Sequence, residues 1–177
     1  MSPRAGDEVT GSAETHELTY LATALLQALR DRGWWIAAAE SLTGGLLASA
    51  MIEIAGASAS VRGGVIAYDT AIKRDVLGVD ADLLESRGAV DAEVAQQMAY
   101  SVRRLLSVDG RPADVGMSTT GVAGPEPQDG QPVGTVFVAV SSPVGEVSRQ
   151  HEFAGGRAAI RRQSVAAALR LALDQLS

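Results

Sequence analysis

Residues 39–45, with the sequence Ala-Glu-Ser-Leu-Thr-Gly-Gly, bring together the groups with which this chain could carry out chemistry. The hydroxyl of Ser41 and the carboxylate of Glu40 lie between an apolar run, 34–38, and an amphipathic run, 46–54. This pattern predicts a buried strand that turns directly into a helix. N–H groups of such a turn converge where the helix dipole favours negative charge. The turn suits either an anion-binding cradle or a serine nucleophile with its oxyanion hole.

The composition limits which group could activate Ser41. The chain has no cysteine, and its two histidines, His16 and His151, both lie far in sequence from a glycine-rich turn. A Ser-His-Asp triad and a histidine metal site are therefore not expected. A nucleophilic Ser41 would need a lysine, a tyrosine or a carboxylate as its base. In the simpler alternative, Ser41 or Thr43 only caps the following helix.

Tyr68 ends the second predicted strand and Lys73 follows it by five residues; they are the candidate partners of Ser41. If the first two strands are parallel neighbours, all three residues lie at the same edge of the sheet, where α/β proteins bind ligands. A solvated lysine is a poor base, so burial or nearby positive charge would have to lower the pKa of Lys73. Otherwise Lys73 is an exposed helix residue. Tyr68 either relays a proton, orients a substrate or fills space.

A second glycine-rich segment, residues 119–134, follows the third predicted strand. The backbone N–H groups of Thr120, Gly121 and Gly124 could bind an anion such as a phosphate. The segment is not a P-loop, because the Gly-Lys-Ser/Thr ending of that motif is missing. Loops as long as this are often functional.

Three arginines begin the last predicted helix: Arg157, Arg161 and Arg162. Arg157 and Arg161 share one helix face at a spacing of four residues, which suits a phosphate bound to this or a neighbouring subunit. The alternative is a solvated basic face. The sequence alone leaves both interpretations open.

Hydrophobic periodicity, together with the glycines and prolines, predicts the elements that position these residues. Strands that alternate with helices, followed by a hairpin, predict an α/β fold: a three-layer α/β/α sandwich with a mixed, mainly parallel sheet of about five strands. Helices are predicted at about 16–31, 45–54, 71–77, 80–86, 91–106 and 157–176, and strands at 34–39, 65–68, 114–118, 135–141 and 146–153.

Composition and charge narrow the class of protein further. The 177 residues are 46% hydrophobic and 20% charged, with a net charge of −6 at pH 7, which fits one globular domain. This acidity argues against nucleic-acid and anionic-membrane partners. No apolar run is long enough for a membrane span, and we expect a cytoplasmic protein. We predict a disordered leader over 1–14 and a single domain over 15–177.

Five spaced motifs together resemble the C-terminal domain of the CinA family (competence/damage-inducible protein). Stand-alone members of that family are nicotinamide-nucleotide amidohydrolases, also called PncC. The resemblance covers about residues 16–175. It rests on residues 39–45, on 62–68 with Lys73 and 77–79, on 88–90, on 120–125 and on 132–135.

The resemblance implies hydrolysis of the amide of nicotinamide mononucleotide, giving nicotinic acid mononucleotide and ammonia, without a metal or other cofactor. It implies a serine nucleophile at Ser41, with a lysine at Lys73 and a tyrosine at Tyr68. The expected partner is the small nucleotide substrate, and we expect a homo-oligomer, a dimer or a trimer. Residues predicted to bind substrate are Glu40, Leu42, Thr43, Gly44, Gly45, Thr120, Gly121, Gly124 and Arg157.

Two departures from the family pattern keep an alternative open. After Tyr68 the family usually has Ser-Asn, whereas this chain has Asp69-Thr70. The family's glycine-rich, lysine-containing loop is replaced by residues 126–131, which carry two acids. The added negative charge favours the alternative of a catalytically silent nucleotide-binding module with a regulatory role. A purely structural partner domain is a third hypothesis.

Overall fold

The computed structural model of the chain describes residues 5–177, with side chains from residue 14 onward. Its helices alternate with strands in the first half, and a hairpin precedes the last helix, as the sequence predicts. The helices are α1 (Ala5–Arg32), α2 (Leu46–Ile52), α3 (Thr70–Asp75), α4 (Ala81–Arg87), α5 (Ala92–Leu105) and α6 (Arg157–Leu176). The strands are β1 (Ile36–Glu40), β2 (Val61–Ile66), β3 (Val115–Gly121), β4 (Thr135–Ser142) and β5 (Gly145–Glu152).

One mixed sheet of five strands forms the middle layer, in the order β2-β1-β3-β4-β5. Strand β1 pairs in parallel with β2 and β3, and β3, β4 and β5 pair antiparallel. Glu40 at the end of β1 lies opposite Ile66 of β2 and Thr119 of β3. The carboxyl ends of three strands therefore meet at one edge, and the predicted α/β fold is confirmed.

Helices cover both faces of this sheet. One hydrophobic core joins α1, α2 and α6 to the sheet, and it includes Leu25, Met51 and Leu169. On the other face α5 packs through Val94 and Met98. The backbone of α5 approaches β3 so closely that a Cβ at position 116 would lie 1.9 Å from the Ala99 carbonyl oxygen, so only glycine fits there.

Two strands, β2 and β3, differ most from their predicted bounds, and pairing with a neighbouring strand is the reason in both. Strand β2 begins at Val61, before the predicted residue 65, because Gly63 and Gly64 pair with β1 despite their low strand propensity. Glycine at position 64 also allows close packing against α2, since a Cβ there would lie 3.2 Å from the Cβ of Ala48. Strand β3 continues to Gly121 because its pairing with β4 continues to that residue.

The amino-terminal segment also differs from its predicted bounds. Helix α1 begins at Ala5 rather than near residue 16. Residues 1–4 of the predicted leader lie outside the described residues, and the disorder of the leader stays a prediction. Within residues 5–177, no helix combines the length and the apolar character that crossing a bilayer requires.

Candidate active site

Ser41 is held in a rigid turn between β1 and α2. Its N–H donates to the Thr119 carbonyl on β3 at 2.9 Å, and its own carbonyl accepts from the N–H of Gly44 at 3.1 Å. The turn continues through Gly44 and Gly45, whose φ angles of 57° and 95° lie in the left-handed region that favours glycine. Because both ends of the turn are fixed, the Ser41 side chain has a defined position at the sheet edge.

Glu40, and not a hydroxyl, caps α2. Its carboxylate is 1% exposed and accepts three N–H bonds, from Gly45 at 2.9 Å, Leu47 at 3.0 Å and Ala48 at 2.8 Å. The anion in the predicted cradle is therefore the protein's own carboxylate. Neither Ser41 nor Thr43 caps α2. The N-cap residue is Gly45, which has no side chain, and the Thr43 hydroxyl forms a hydrogen bond with that of Thr119 at 2.8 Å.

Lys73 lies against the Ser41 hydroxyl. Asp69 caps α3 by accepting the N–H of Ala71, and this short helix directs Lys73 back toward β1. The Lys73 Nζ lies 3.1 Å from the Ser41 Oγ and donates to the Ala67 carbonyl at 2.9 Å. The side chain is 1% exposed, so the prediction of an exposed lysine does not hold.

The surroundings of Lys73 shift its protonation equilibrium toward the neutral form, compared with a lysine in water. Burial lowers the pKa of its ammonium from 10.5 to about 8, although the negative charges of Asp69 and Asp129 act in the opposite direction. Desolvation is the largest cause, as expected for an amine removed from water. At pH 7 about a tenth of the lysines are then unprotonated, and the Nζ is within reach of the serine proton.

A cavity of about 350 Å³ opens in front of this pair. Tyr68 and Arg157 stand together on its wall, because Arg157 donates to the Tyr68 hydroxyl at 3.0 Å and to the Gly124 carbonyl at 2.7 Å. Tyr68 is 61% exposed and its hydroxyl faces this arginine. Lys73 and Ser41 are in direct contact, so no relay through Tyr68 is required between them.

The second glycine-rich segment also lines the cavity. The Thr120 hydroxyl donates to the Ala89 carbonyl at 2.6 Å, and the Asp129 carboxylate accepts the Ala89 N–H at 2.9 Å. Asp129 is therefore turned toward the connection before α5, whereas Glu126 lines the cavity. Ala123 and Gly124 line it as well, and within the described residues their N–H groups donate no hydrogen bond.

One N–H group of the serine turn is also available. Within the chain from residue 5 onward, Leu42 and Thr43 donate no backbone hydrogen bond, in contrast to Gly44 and Gly45. Leu42 lines the cavity, whereas Thr43 is fully buried and does not. Leu42 follows Ser41 directly, where acyl-transfer enzymes place a donor for the oxyanion. A hydroxyl, an amine of lowered pKa and a free donor together suit nucleophilic attack on a carbonyl group.

The predicted site residues separate into two groups. Ser41, Lys73 and Tyr68 come together at the cavity. The predicted binding residues that line it are Leu42, Thr120, Gly121, Gly124 and Arg157. Four others have structural contacts instead: Glu40 and Gly45 in the α2 cap, Thr43 with Thr119, and Gly44 with Ser41. These contacts support the turn, and a contact of the four residues with substrate stays a prediction.

Sequence reasoning also missed two contributions to the site. Ala89 and Val90 line the cavity, although only the motif at 88–90 indicated this segment. Arg161, expected to face a phosphate with Arg157, donates to the carbonyls of Leu42 and Thr43 at 2.9 and 2.6 Å. No pattern in the sequence predicts that long-range contact.

Comparisons with known proteins agree with this fold. A family model described as "CinA C-terminal domain" matches residues 18–176. A CinA-like protein of Frankia casuarinae is 43% identical over 153 residues, which are 86% of this chain and 34% of that protein. The chain thus spans about a third of the length of the longer curated relatives it matches.

A relative of similar length has a more specific name. "Nicotinamide-nucleotide amidohydrolase PncC" of Enterobacter agglomerans is 39% identical over 150 residues, 84% of this chain and 88% of that protein. Among solved structures, the competence/damage inducible protein CihA from Agrobacterium tumefaciens superposes with a TM-score of 0.84. It is 33% identical, and the match covers 91% of this chain and 96% of that one.

Proposed function

The chain belongs to the CinA C-terminal domain family, and on that premise we propose that it is a nicotinamide-nucleotide amidohydrolase. Its substrate is nicotinamide mononucleotide, and its products are nicotinic acid mononucleotide and ammonia, a step of pyridine-nucleotide salvage. The observation that carries this proposal is the 3.1 Å contact between the buried Lys73 Nζ and the Ser41 Oγ at the cavity floor. The amidohydrolase name of the Enterobacter relative supports it.

The first half of the reaction acylates Ser41. Its Oγ attacks the carboxamide carbon while the neutral Lys73 Nζ accepts the hydroxyl proton. The negative charge that develops on the carbonyl oxygen is stabilised by the N–H group of Leu42. The C–N bond then breaks, and the proton on Lys73 is transferred to the departing nitrogen, which leaves as ammonia.

The second half releases the acid and restores the enzyme. A water molecule attacks the ester carbon and gives a proton to the again neutral Lys73. The bond between this carbon and the Ser41 Oγ breaks, and the serine takes back the proton from the lysine. The same amine therefore acts as base and acid in both steps, which requires a pKa close to the working pH, as burial provides.

The remaining cavity wall offers a place for the nucleotide phosphate. Arg157 supplies a positive charge, and its bond to the Gly124 carbonyl brings it beside the loop that carries the free N–H groups of Ala123 and Gly124. We expect the phosphate to bind here and the ribose to lie between this wall and the Ser41–Lys73 pair. Glu126 lines the cavity and is placed to accept hydrogen bonds from ribose hydroxyls.

Ammonia release from nicotinamide mononucleotide tests the proposal. The wild-type protein should release ammonia, and Ser41→Ala should reduce the rate to the uncatalysed background. Ser86→Ala, which removes an exposed hydroxyl on α4, is the matched control and should leave the rate unchanged. An unchanged rate for Ser41→Ala would exclude Ser41 as the nucleophile.

A catalytically silent nucleotide-binding module is the second candidate. The observation in its favour is the acidic Glu126 in the cavity wall, which opposes a productive position of an anionic substrate. Calorimetry distinguishes the two functions. Binding of the mononucleotide by the wild-type protein without any ammonia release would favour the silent module over the enzyme.

A further inference from the structure

Arg161 reaches from α6 to the serine turn and binds two consecutive carbonyl groups. Its Nε donates to the Leu42 carbonyl at 2.9 Å, and its Nη2 donates to the Thr43 carbonyl at 2.6 Å. The guanidinium is partly buried, and a Cβ on Gly44 would lie 3.2 Å from its Nη2. Arg161 is therefore fixed against the backbone of this turn rather than available to a phosphate.

These contacts also determine where the Leu42 N–H group points. The C=O and N–H of a trans peptide unit point in opposite directions. Because Arg161 holds the Thr43 carbonyl, the Gly44 N–H of the same peptide unit is directed to the Ser41 carbonyl, to which it donates at 3.1 Å. The Ser41 carbonyl shares its peptide unit with the Leu42 N–H and therefore orients it. The free donor is thus held through two linked peptide units.

We propose that Arg161 is a positioning residue, which holds the peptide units of the turn so that Leu42 presents its N–H group to an oxyanion formed at Ser41. This inference rests on Ser41 as the nucleophile of the proposed function. The guanidinium also polarises the Thr43–Gly44 peptide unit, which strengthens the bond from the Gly44 N–H to the Ser41 carbonyl. A donor fixed before the reaction stabilises developing charge without the cost of reorganisation.

Phosphonylation of Ser41 by a fluorophosphonate tests this role without the nucleotide. The serine Oγ forms a bond to phosphorus, fluoride leaves, and Lys73 takes the hydroxyl proton, while the phosphoryl oxygen occupies the oxyanion position. The rate is measured against pH for the wild type, Arg161→Gln, Arg161→Lys and the control Arg162→Gln. Arg162 is the adjacent arginine and pairs with Glu14 at 2.6 Å.

Loss of the positioning contact should lower the plateau of the labelling rate and leave the pH midpoint in place. For Arg161→Gln we expect a plateau roughly 100-fold lower, because the Leu42 donor is no longer held, while the Lys73–Ser41 contact persists. The plateau for Arg161→Lys should lie between those of the wild type and Arg161→Gln, since an ammonium group replaces a guanidinium that donates through two nitrogen atoms. Arg162→Gln should react at the wild-type rate.

Several results would overturn the inference. A wild-type plateau for Arg161→Gln would do so, and so would a drop accompanied by a shifted pH midpoint, which would mean that the Lys73–Ser41 contact had changed. If Arg161→Gln shows no cooperative thermal unfolding, Arg161→Lys decides, and a wild-type rate there contradicts the role. Failure of the wild type to react at Ser41 would instead contradict the nucleophile itself. If the protein does not hydrolyse nicotinamide mononucleotide, the fluorophosphonate test of Arg161 can still be made, because it does not use the nucleotide.

Discussion

Burial of Lys73 favours the proposed chemistry but lowers the stability of the folded protein. A buried amine with the pKa lowered to about 8 is a usable base near neutral pH. The same burial destabilises the folded state, because the charged form is removed from water. The effect of Lys73 on the free energy of unfolding can be measured.

Replacement of Lys73 by methionine should stabilise the fold at neutral pH. A pKa lowered from 10.5 to about 8 corresponds to a penalty of about 3 kcal/mol, and loss of the bond to the Ala67 carbonyl offsets about 1 kcal/mol of the gain. We expect urea unfolding to give a free energy about 2 kcal/mol higher for Lys73→Met. Arg74→Met, at an exposed neighbour on α3, should change little.

The pH dependence of wild-type stability follows from the difference between the pKa of Lys73 in the folded and the unfolded chain. Below about pH 8 the lysine is protonated in both states, so the wild type carries the full penalty. Between about 8 and 10.5 only the unfolded chain holds the proton, and the wild type recovers stability as the pH rises. The advantage of Lys73→Met should therefore shrink over this range. A constant difference would contradict a lowered pKa.

The two acids near Lys73 adjust its pKa without contacting Ser41. Asp69 and Asp129 both raise the lysine pKa through their charge. Asparagine keeps the acceptor oxygen that each uses, toward Ala71 and Ala89. Asp69→Asn and Asp129→Asn should each move the midpoint of the rate against pH to lower pH, and the double variant should move it further. Asp82→Asn on α4 is the control, and an unmoved midpoint in the double variant would contradict this coupling.

At the scale of elements, the short helix α2 depends on the carboxylate that precedes its turn. Glu40 satisfies three N–H groups, and neither of its oxygens is a donor. Glutamine would turn an amide nitrogen toward at least one of these donors. We expect Glu40→Gln to lower the free energy of unfolding by about 2 kcal/mol or more.

Urea unfolding measures this loss, with Glu53→Gln as the matched control. Glu53 is exposed at the other end of α2 and has no such role. Equal stabilities of the two variants would show that Glu40 does not anchor the turn. Because this turn also carries Ser41, we expect the Glu40→Gln protein to lose activity as well.

The elements themselves were largely predictable from local patterns. The N-cap at Asp91, confirmed by its bond to the Glu93 N–H, and the spacing of Val94 and Met98 indicate α5 directly. The start of β2 was not predictable, because Gly63 and Gly64 form a strand only through pairing with β1. Local preference is overridden there by a tertiary contact.

At the scale of the whole molecule, the site is assembled from segments that are distant in the chain. The turn after β1, the start of α3, the loop after β3 and the first turn of α6 all border one cavity. Parallel pairing of β1 with β2 and β3 explains why Ser41 and Lys73 were predicted to meet. The contacts of Arg161 were not predictable, since only the packing of α6 brings it to the turn.

Ligand binding should stabilise the whole fold if the cavity is a nucleotide site. We expect Ser41→Ala to bind nicotinamide mononucleotide without turnover, and saturating ligand to raise its Tm by roughly 5–10 °C. Nicotinamide riboside, which lacks the phosphate, should raise it less, and Arg157→Gln should reduce the difference between them. No shift with either ligand would favour a purely structural domain.

The rate of ammonia release from nicotinamide mononucleotide as a function of pH tests the central claim most directly. A neutral Lys73 that accepts the Ser41 proton predicts a wild-type rate that rises through about pH 8 to a plateau, and a Lys73→Met rate at background throughout. A wild-type rate that does not change across this range, or a Lys73→Met protein as active as the wild type, would contradict it.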